Sequence, residues 1–264
     1  MAKLHIFGSC SGTEPMPGRH HCSFALDYLD RLYWFDAGEC CSYTAHLMGL
    51  DLLKVREIFI SHPHMDHVGG LGNLLWTIRK LSGMQKRMPD CGGVETITPS
   101  TASFEHILGM LSDTEGNFVC PYPVTCRETQ DGVIYDDGDV KVEAVHNHHL
   151  KHEEGKPWRS FSFRISFTEG NSLRRVIFSG DVKSPDDIAC FLDEGCDLFL
   201  METGHHNPLN VAEWLREHNT QIGRLCFIHH GRHLLNEYAA MKRGLDESCP
   251  CPYVIAEDAM TLDV

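Results

Sequence analysis

Short apolar runs alternate along the chain with longer stretches in which apolar residues recur every three or four positions. The short runs are rich in β-branched and aromatic residues, as in buried strands, and the longer stretches have the period of amphipathic helices. The first pattern predicts strands over residues 4–7, 24–28, 32–35, 57–60, 94–98, 133–135, 140–145, 161–167, 174–178, 197–201, 225–228 and 253–256. The second predicts helices over residues 41–48, 71–81, 100–111, 185–192, 208–217 and 235–245, and residues 113–129 are predicted as a loop. Strands in both halves with helices interspersed predict an α/β fold.

The polar stretch after the strand at residues 57–60 carries the clearest chemical pattern. It places three histidines and one aspartate within six residues, at His62, His64, Asp66 and His67. Packing does not need such a group, whereas imidazole nitrogen and carboxylate oxygen are ligands of divalent ions, zinc above all. The alternating spacing lets His62 and His64 point one way while Asp66 and His67 point toward a second ion. A surface loop with chance histidines is the weaker interpretation, because this spacing follows a strand directly.

Residues of the same kind stand at the ends of three other predicted strands. These are the histidine-rich stretch 146–149, Asp181 and His229. Ligands that reach one edge from several strand ends form a site on a rigid scaffold. The sequence therefore predicts a metal site assembled from four strand ends.

The motif at residues 62–67, His-x-His-x-Asp-His, resembles the signature of the metallo-β-lactamase superfamily. Residues 4–12 resemble the opening strand and glycine loop of the branch that holds ribonuclease Z and the cyclic phosphodiesterases, and residues 32–39 resemble its next landmark, a strand ending in Asp-x-Gly-Glu. The resemblance implies one domain over residues 1–264 with a four-layer αββα sandwich. In that fold two mixed β-sheets lie face to face, helices lie outside, and metal ions bind at one edge.

Seven residues match the metal ligands of the resembled superfamily, and they divide between two divalent ions. By this resemblance His62, His64 and His149 hold the first ion, Asp66, His67 and His229 hold the second, and Asp181 bridges the two. Zinc is the expected metal, with manganese or iron as alternatives.

Two of these assignments have competitors nearby. His149 stands at the family's offset from the preceding strand, but His148 is the runner-up. His146 continues the strand pattern, so a structural role is expected for it. At the last of the four strands, His229 is favoured over His230 because it lies nearest the strand.

The resemblance implies hydrolysis by a water molecule that two metal ions activate as hydroxide. Asp66 and Asp181 are the candidate catalytic residues that orient this nucleophile. The hydroxide would attack phosphorus or a carbonyl carbon, and the ions would stabilise the charge that develops.

The general acid and the substrate contacts each have an alternative interpretation in the sequence. In the ribonuclease branch a His-Glu-Ala-Thr motif supplies the acid, but Met201 occupies the first position here and cannot carry a proton. Either His205 or His206 can take this role; we assign His205 as the catalytic acid and His206 as a substrate contact. Arg19 matches an arginine of the family and can bind a phosphate bidentately. The alternatives are surface positions for the histidines and a loop-capping role for Arg19.

The amino-acid composition limits which classes of partner the protein can bind. The chain has 264 residues, 23 basic and 37 acidic, with a formal net charge of −14. This balance argues against a nucleic-acid partner, which needs basic surface. A small anionic ester, bound in a pocket by the metal ions, is the expected substrate. No apolar run approaches the roughly 20 residues of a membrane span, and no signal-peptide pattern opens the chain. We therefore expect a cytoplasmic protein with no membrane partner. Its cysteines are expected to be free and mostly buried. The sequence does not decide between a monomer and a homodimer.

Five hypotheses remain at this point, and they fall into three classes: hydrolase, redox protein and non-catalytic scaffold. The leading hypothesis is a dinuclear metal-dependent hydrolase, a phosphodiesterase for a small anionic ester. A lactonase or thioester hydrolase uses the same fold, and a tRNA 3′-processing endonuclease belongs to the same branch. A di-iron redox protein ranks lower, because the length leaves no room for a flavodoxin-like second domain. A non-catalytic metal-bound scaffold is disfavoured because the ligand set is complete.

Overall fold

Two mixed β-sheets of seven strands organise the computed structural model, which describes residues 1–114 and 117–264. The chain divides into two units, each with one of these sheets. The first unit comprises residues 1–9, 17–129 and 257–263, and the second comprises residues 10–16, 130–256 and 264. The expectation of two mixed sheets with helices is confirmed, whereas the four-layer arrangement and the single domain stay predictions.

The sheet of the first unit is antiparallel on one side and parallel on the other. Its strands are β1 Lys3–Gly8, β2 Ser23–Tyr28, β3 Arg31–Phe35, β4 Val55–Phe59, β5 Val94–Thr98, β6 Val124–Glu128 and β14 Thr261–Asp263, in the order β14-β1-β2-β3-β4-β5-β6. The pairs from β14 to β3 are antiparallel and those from β3 to β6 are parallel. The carboxyl ends of β3 and β4 therefore meet at one edge of this sheet.

The helices of the first unit are α1 Cys41–Leu47, α2 Met65–Val68, α3 Leu71–Gln85 and α4 Thr101–Thr114, with a 3-10 turn at Leu52–Lys54. Helix α3 buries Leu71, Leu74, Leu75 and Ile78, the apolar face that the sequence predicts. Burying one such side chain fully contributes about 1.5–3 kcal/mol to stability, so this apolar face stabilises the packing of α3.

The sheet of the second unit repeats this succession of pairings. Its strands are β7 Gly132–Asp136, β8 Val140–His146, β9 Phe161–Glu169, β10 Ser172–Phe178, β11 Cys196–Thr203, β12 Ile222–His230 and β13 Tyr253–Ile255, in sequential order. The pairs from β7 to β10 are antiparallel and those from β10 to β13 are parallel. Strands β8, β10, β11 and β12 consequently run in the same direction and end at the same edge.

The helices of the second unit are α5 Ala189–Leu192, α6 Pro208–Glu217, α7 Arg232–Asn236 and α8 Tyr238–Ser248, with a 3-10 turn at Pro185–Ile188. The predicted helix at 185–192 is therefore half 3-10. The predicted helix at 235–245 is two helices, because Glu237 leaves helical geometry with φ −122° and ψ 29°.

The predicted loop at residues 113–129 is wrong at its start, where α4 extends to Thr114, and in its last part, where β6 forms. Residues 115 and 116 of that stretch lie outside the described residues. Among the described strands, β6 pairs only with β5 at the edge of its sheet, and its residues are half-buried or exposed. The apolar signal that marks a buried strand is therefore absent from it.

Two further expectations concern cysteines and membranes. All twelve cysteines lie within the described residues and are free, but only Cys10, Cys22, Cys41 and Cys226 are buried, so the expectation of mostly buried thiols is wrong. Among the described helices, none has the length and apolar character that crossing a membrane requires.

Candidate metal centre

A buried carboxylate, Asp36, holds the histidine motif of the first unit. It follows β3 in a left-handed conformation with φ 53°. Its oxygens accept hydrogen bonds from the backbone N–H of Ser61 at 2.7 Å, the hydroxyl of Ser61 at 2.8 Å and Nδ1 of His67 at 2.7 Å. Because Nδ1–H of His67 is committed to Asp36, Nε2 carries the lone pair, and it lies 3.5 Å from Oδ2 of Asp66. Carboxylates that fix a metal-binding histidine in one tautomer have this geometry.

The rest of the motif lies close to His67. His62 is fully buried, and its Nδ1 lies 3.1 Å from the hydroxyl of Ser61. One nitrogen of His62 and one of the exposed His64 lie within 4.8 Å of each other. Asp66 and His67 belong to the single turn of helix α2 rather than to a loop. The structure therefore brings all four motif residues of the first unit together.

In the second unit, Asp181 lies between two histidines from different strand ends. Its Oδ1 is 3.2 Å from Nδ1 of His229, and its Oδ2 is 3.6 Å from Nε2 of His149. Asp181 and His229 are 2% and 1% exposed, and the side chain of His149 is 11% exposed. Each carboxylate oxygen thus faces a different imidazole.

Glu202, at the end of β11, is a second buried carboxylate near His229, with 3.7 Å between its Oε2 and Nδ1 of the histidine. One carboxylate oxygen accepts a bond at 3.0 Å from Nδ1 of His205, and the other accepts the backbone N–H of His205 at 2.9 Å. Burial raises the pKa of Glu202, but the bonds from His205 and His229 outweigh it and hold this pKa far below its usual value. The bond to Glu202 in turn raises the pKa of His205. The pair therefore favours the protonated form of the His205 imidazole, whose side chain is 47% exposed.

The position of His229 depends on a break in the pairing of β11 with β12. The register shifts between Glu202 and Thr203, and His229 adopts a left-handed conformation with φ 54°. A bulge of this kind re-aims a side chain, here toward Asp181. Gly204 makes room for the ring, since a Cβ at that position would lie 2.7 Å from Nδ1 of His229. His230 instead bonds Thr203 at 2.8 Å and a backbone carbonyl at 2.9 Å.

The other histidines near β8 have partners of their own. Nδ1 of His148 lies 2.6 Å from Asp187, and this side chain is 56% exposed. His146 pairs with Asp131 at 2.6 Å and stacks on Trp158 at 4.0 Å between ring centroids. Neither is placed beside Asp181, as His149 is.

The two expected substrate contacts are held by neighbours in different units. Arg19 donates from Nη1 to the hydroxyl of Ser9 at 2.8 Å, and that hydroxyl donates to Asp258 at 2.7 Å. His206 donates from Nε2 to the backbone carbonyl of Val182 at 2.9 Å.

Sequence reasoning missed three residues that position the others: Asp36, Glu202 and Asp258. For Asp36 the signal was present, since it opens the Asp-x-Gly-Glu stretch already noted in the sequence. For Glu202 it was also present, since Glu202 follows Met201 at the second position of the His-Glu-Ala-Thr stretch and its partner His205 lies three residues further on. For Asp258 no local pattern indicates a role, because its partners Ser9 and His20 are distant in the chain.

We expect His149→Ala to weaken metal binding by more than the 10- to 100-fold typical of positioning residues around a metal. His148→Ala and His146→Ala should leave the metal affinity nearly unchanged, because these imidazoles pair with Asp187 and Asp131 instead. Metal titration of the three purified variants measures this. If His148→Ala lost metal affinity and His149→Ala did not, His148 would be the ligand instead of His149.

Asp36→Asn should lower metal affinity about 10- to 100-fold, because an amide cannot hold His67 in the same tautomer. Asp27→Asn is the matched control, since Asp27 also faces a histidine, His5, at 3.4 Å on the same sheet but away from the motif. Competition with a chromophoric chelator gives both affinities. Equal affinities in the two variants would contradict the role of Asp36.

Comparison with curated proteins finds ribonucleases Z. The chain is 30% identical over 166 residues to ribonuclease Z of Cyanothece sp., covering 62% of this chain and 46% of that protein. It is 30% identical over 175 residues to ribonuclease Z of Staphylococcus saprophyticus, covering 64% and 51%. The chain thus spans about half the length of these relatives.

Solved structures show the same fold. The Bacillus subtilis metallo-β-lactamase fold protein YhfI aligns with TM-score 0.73, 16% identity and 100% of both chains covered. The short form of human tRNase Z aligns with TM-score 0.72, 19% identity and 99% of both chains covered. A diphosphatase of the PhnP family aligns with TM-score 0.64, 17% identity and 100% and 98% covered. The metallo-β-lactamase fold inferred from the motifs is therefore confirmed.

A family model assigns the chain more closely than these single proteins do. The model for Anti-Pycsar protein Apyc1 matches residues 3–211, which is most of the chain. With the fold and the histidine motif in agreement, the chain belongs to the family of the Anti-Pycsar protein Apyc1.

Proposed function

We propose that the protein is a metal-dependent hydrolase that cleaves a small anionic ester, preferably a phosphodiester, with two divalent ions. The position of Asp181 carries this proposal. Its two oxygens face His229 at 3.2 Å and His149 at 3.6 Å, as a carboxylate that bridges two ions would. The names of the relatives, ribonucleases Z and a diphosphatase among them, support a hydrolase that acts on phosphate esters.

The donors present in the two units fit divalent ions. They are imidazole nitrogens and carboxylate oxygens, and the imidazole of His67 is held in one tautomer by Asp36. We assign the first ion to His62, His64 and His149, the second to Asp66, His67 and His229, with Asp181 shared. Zinc is the metal we propose, since this donor set suits it best, with manganese or iron as alternatives. Two such ions lower the pKa of a water molecule and stabilise the charge that develops on the phosphate.

The side chains of the protein supply orientation and a proton. Asp66 and Asp181 orient the attacking water. Nε2 of His205 gives a proton to the leaving oxygen, while Glu202 holds Nδ1 and keeps the ring in place. Arg19 and His206 contact the substrate, and each is already fixed by a neighbouring group.

The relatives also favour a second candidate, an endonuclease that trims the 3′ end of precursor tRNA. The curated relatives are named ribonuclease Z, so they do not support the expectation that a nucleic-acid partner is disfavoured. Against this candidate stand the net charge of −14 and Met201, which cannot carry a proton.

A panel of four substrates separates these functions. The protein loaded with zinc or manganese should hydrolyse bis(para-nitrophenyl) phosphate or a cyclic nucleotide faster than a lactone, and should act weakly on precursor tRNA at physiological salt. Chelation should abolish the activity, and returning the metal should restore it. Site-specific trimming of the tRNA with weak action on the small diesters would replace the first candidate by the second.

A further inference from the structure

A cavity of about 640 Å³ opens in the second unit beside the Asp181 cluster. Five histidines line it, together with Lys151 and Lys183. Within the part of the chain that the structure describes, no carboxylate belongs to the lining. Cavities that hold small ligands are typically about 300–1,000 Å³, so this one has room for a nucleotide-sized molecule.

The two lysines differ from four others in the chain. Lys54, Lys141, Lys156 and Lys242 each form an ion pair with a carboxylate. Among the described residues, neither ammonium nitrogen at the cavity has a carboxylate oxygen within 4.0 Å. In a chain with net charge −14, two cations that face one opening without a carboxylate partner are available to an anionic ligand.

Three carboxylates lie behind the lining, and each is turned toward imidazoles. Asp181 and Glu202 are 2% and 0% exposed and face the histidine cluster. Asp187 is 10% exposed and bonds His148. The formally charged residues of the lining are therefore both positive, Lys151 and Lys183.

We propose that Lys151 and Lys183 form an anion-binding subsite that receives the negative group of the substrate and selects anionic esters over neutral ones. This rests on the proposed function, because His149 and His205 line the same cavity. Fixed cations in a cleft raise the local concentration of an anionic substrate and its rate of association by about 10- to 1,000-fold. A neutral lactone or thioester gains nothing from them, so the subsite favours phosphodiesters within this fold.

The test compares kcat/KM for an anionic ester, bis(para-nitrophenyl) phosphate, and a neutral one, para-nitrophenyl acetate, in the metal-loaded protein. The double variant Lys151→Met/Lys183→Met should lose about tenfold or more on the diester, mainly through KM, and its ratio of diester to acetate activity should fall accordingly. Its rate should also depend less on salt, since the ammonium field is screened at about 1 M salt. The Arg double variant, which keeps both charges, should recover the ratio, and Lys242→Met should match the wild type. An unchanged ratio in the Met variant would overturn the subsite.

Binding of inorganic pyrophosphate by calorimetry separates this proposal from the proposed function. If the metal-loaded wild type hydrolyses neither ester, the proposed function fails, but the subsite still predicts pyrophosphate binding that weakens about tenfold in the Met double variant. Equal affinity in wild type and variant would overturn the subsite whatever the activity.

Discussion

Asp181→Ala should abolish hydrolysis and reduce the metal content from about two ions per chain to one or fewer. The reason lies in the two directions of this carboxylate, which faces His229 with one oxygen and His149 with the other. A shared ligand holds two ions at their working separation, and metal activation supplies several kcal/mol of stabilisation to the transition state. Its loss should therefore cost on the order of 10³-fold or more in kcat/KM.

Elemental analysis, steady-state kinetics and circular dichroism measure this outcome together. Asp187→Ala is the matched control, because Asp187 is a neighbouring carboxylate that bonds His148 instead of facing His149 and His229. The control should keep both ions, and both variants should keep the wild-type dichroism spectrum. An Asp181→Ala protein with two ions and near-normal turnover would show that Asp181 does not bridge.

His205→Gln should lower kcat about 10²- to 10⁴-fold on a substrate with a poor leaving group while both metal ions remain bound. Glu202 holds Nδ1 of His205 at 3.0 Å, so a proton can leave only from Nε2. A dinucleoside monophosphate releases an alkoxide and needs that proton. Bis(para-nitrophenyl) phosphate releases a stable phenolate, so its hydrolysis should suffer far less.

Comparison of these two substrates distinguishes proton donation from a structural role. His206→Gln is the matched contrast: its Nε2 bonds the carbonyl of Val182, so its effect should be similar on both substrates. Equal losses on both substrates in His205→Gln would mean that His205 is not the acid. Because Glu202 raises the pKa of His205, Glu202→Gln should lower that pKa and move the loss of activity at high pH toward lower pH.

Local patterns predicted most of the fold. Strand β5 and helix α6 have the bounds that the apolar pattern predicts, and α3 buries the predicted face. These elements are buried on one face or both, so hydrophobic periodicity reports them directly. Edge strand β6 was not predicted, because an exposed edge carries little apolar signal. The break at Glu237 was not predicted either, because a break within a helical pattern is set by surrounding packing.

The candidate site divides in the same way. His62, His64, Asp66 and His67 were recognisable from the sequence, because their spacing within one turn after a strand is itself the signal. Among His146, His148 and His149 the sequence favoured His149 only by its resemblance to the family, with His148 as runner-up, since all three offer the same ligand atoms. The tertiary structure separates them by their carboxylate partners, with Asp181 beside His149 and other aspartates beside its neighbours.

The sequence by itself therefore determined the fold class, the family resemblance and which residue types can bind metal. Only the tertiary structure decided how those residues are held. Asp36 reaches His67 across 31 positions, and Glu202 and His229 meet because β11 and β12 are parallel neighbours with a shifted register. Such contacts depend on strand pairing and left-handed backbone at single residues, which leave no local pattern in the chain.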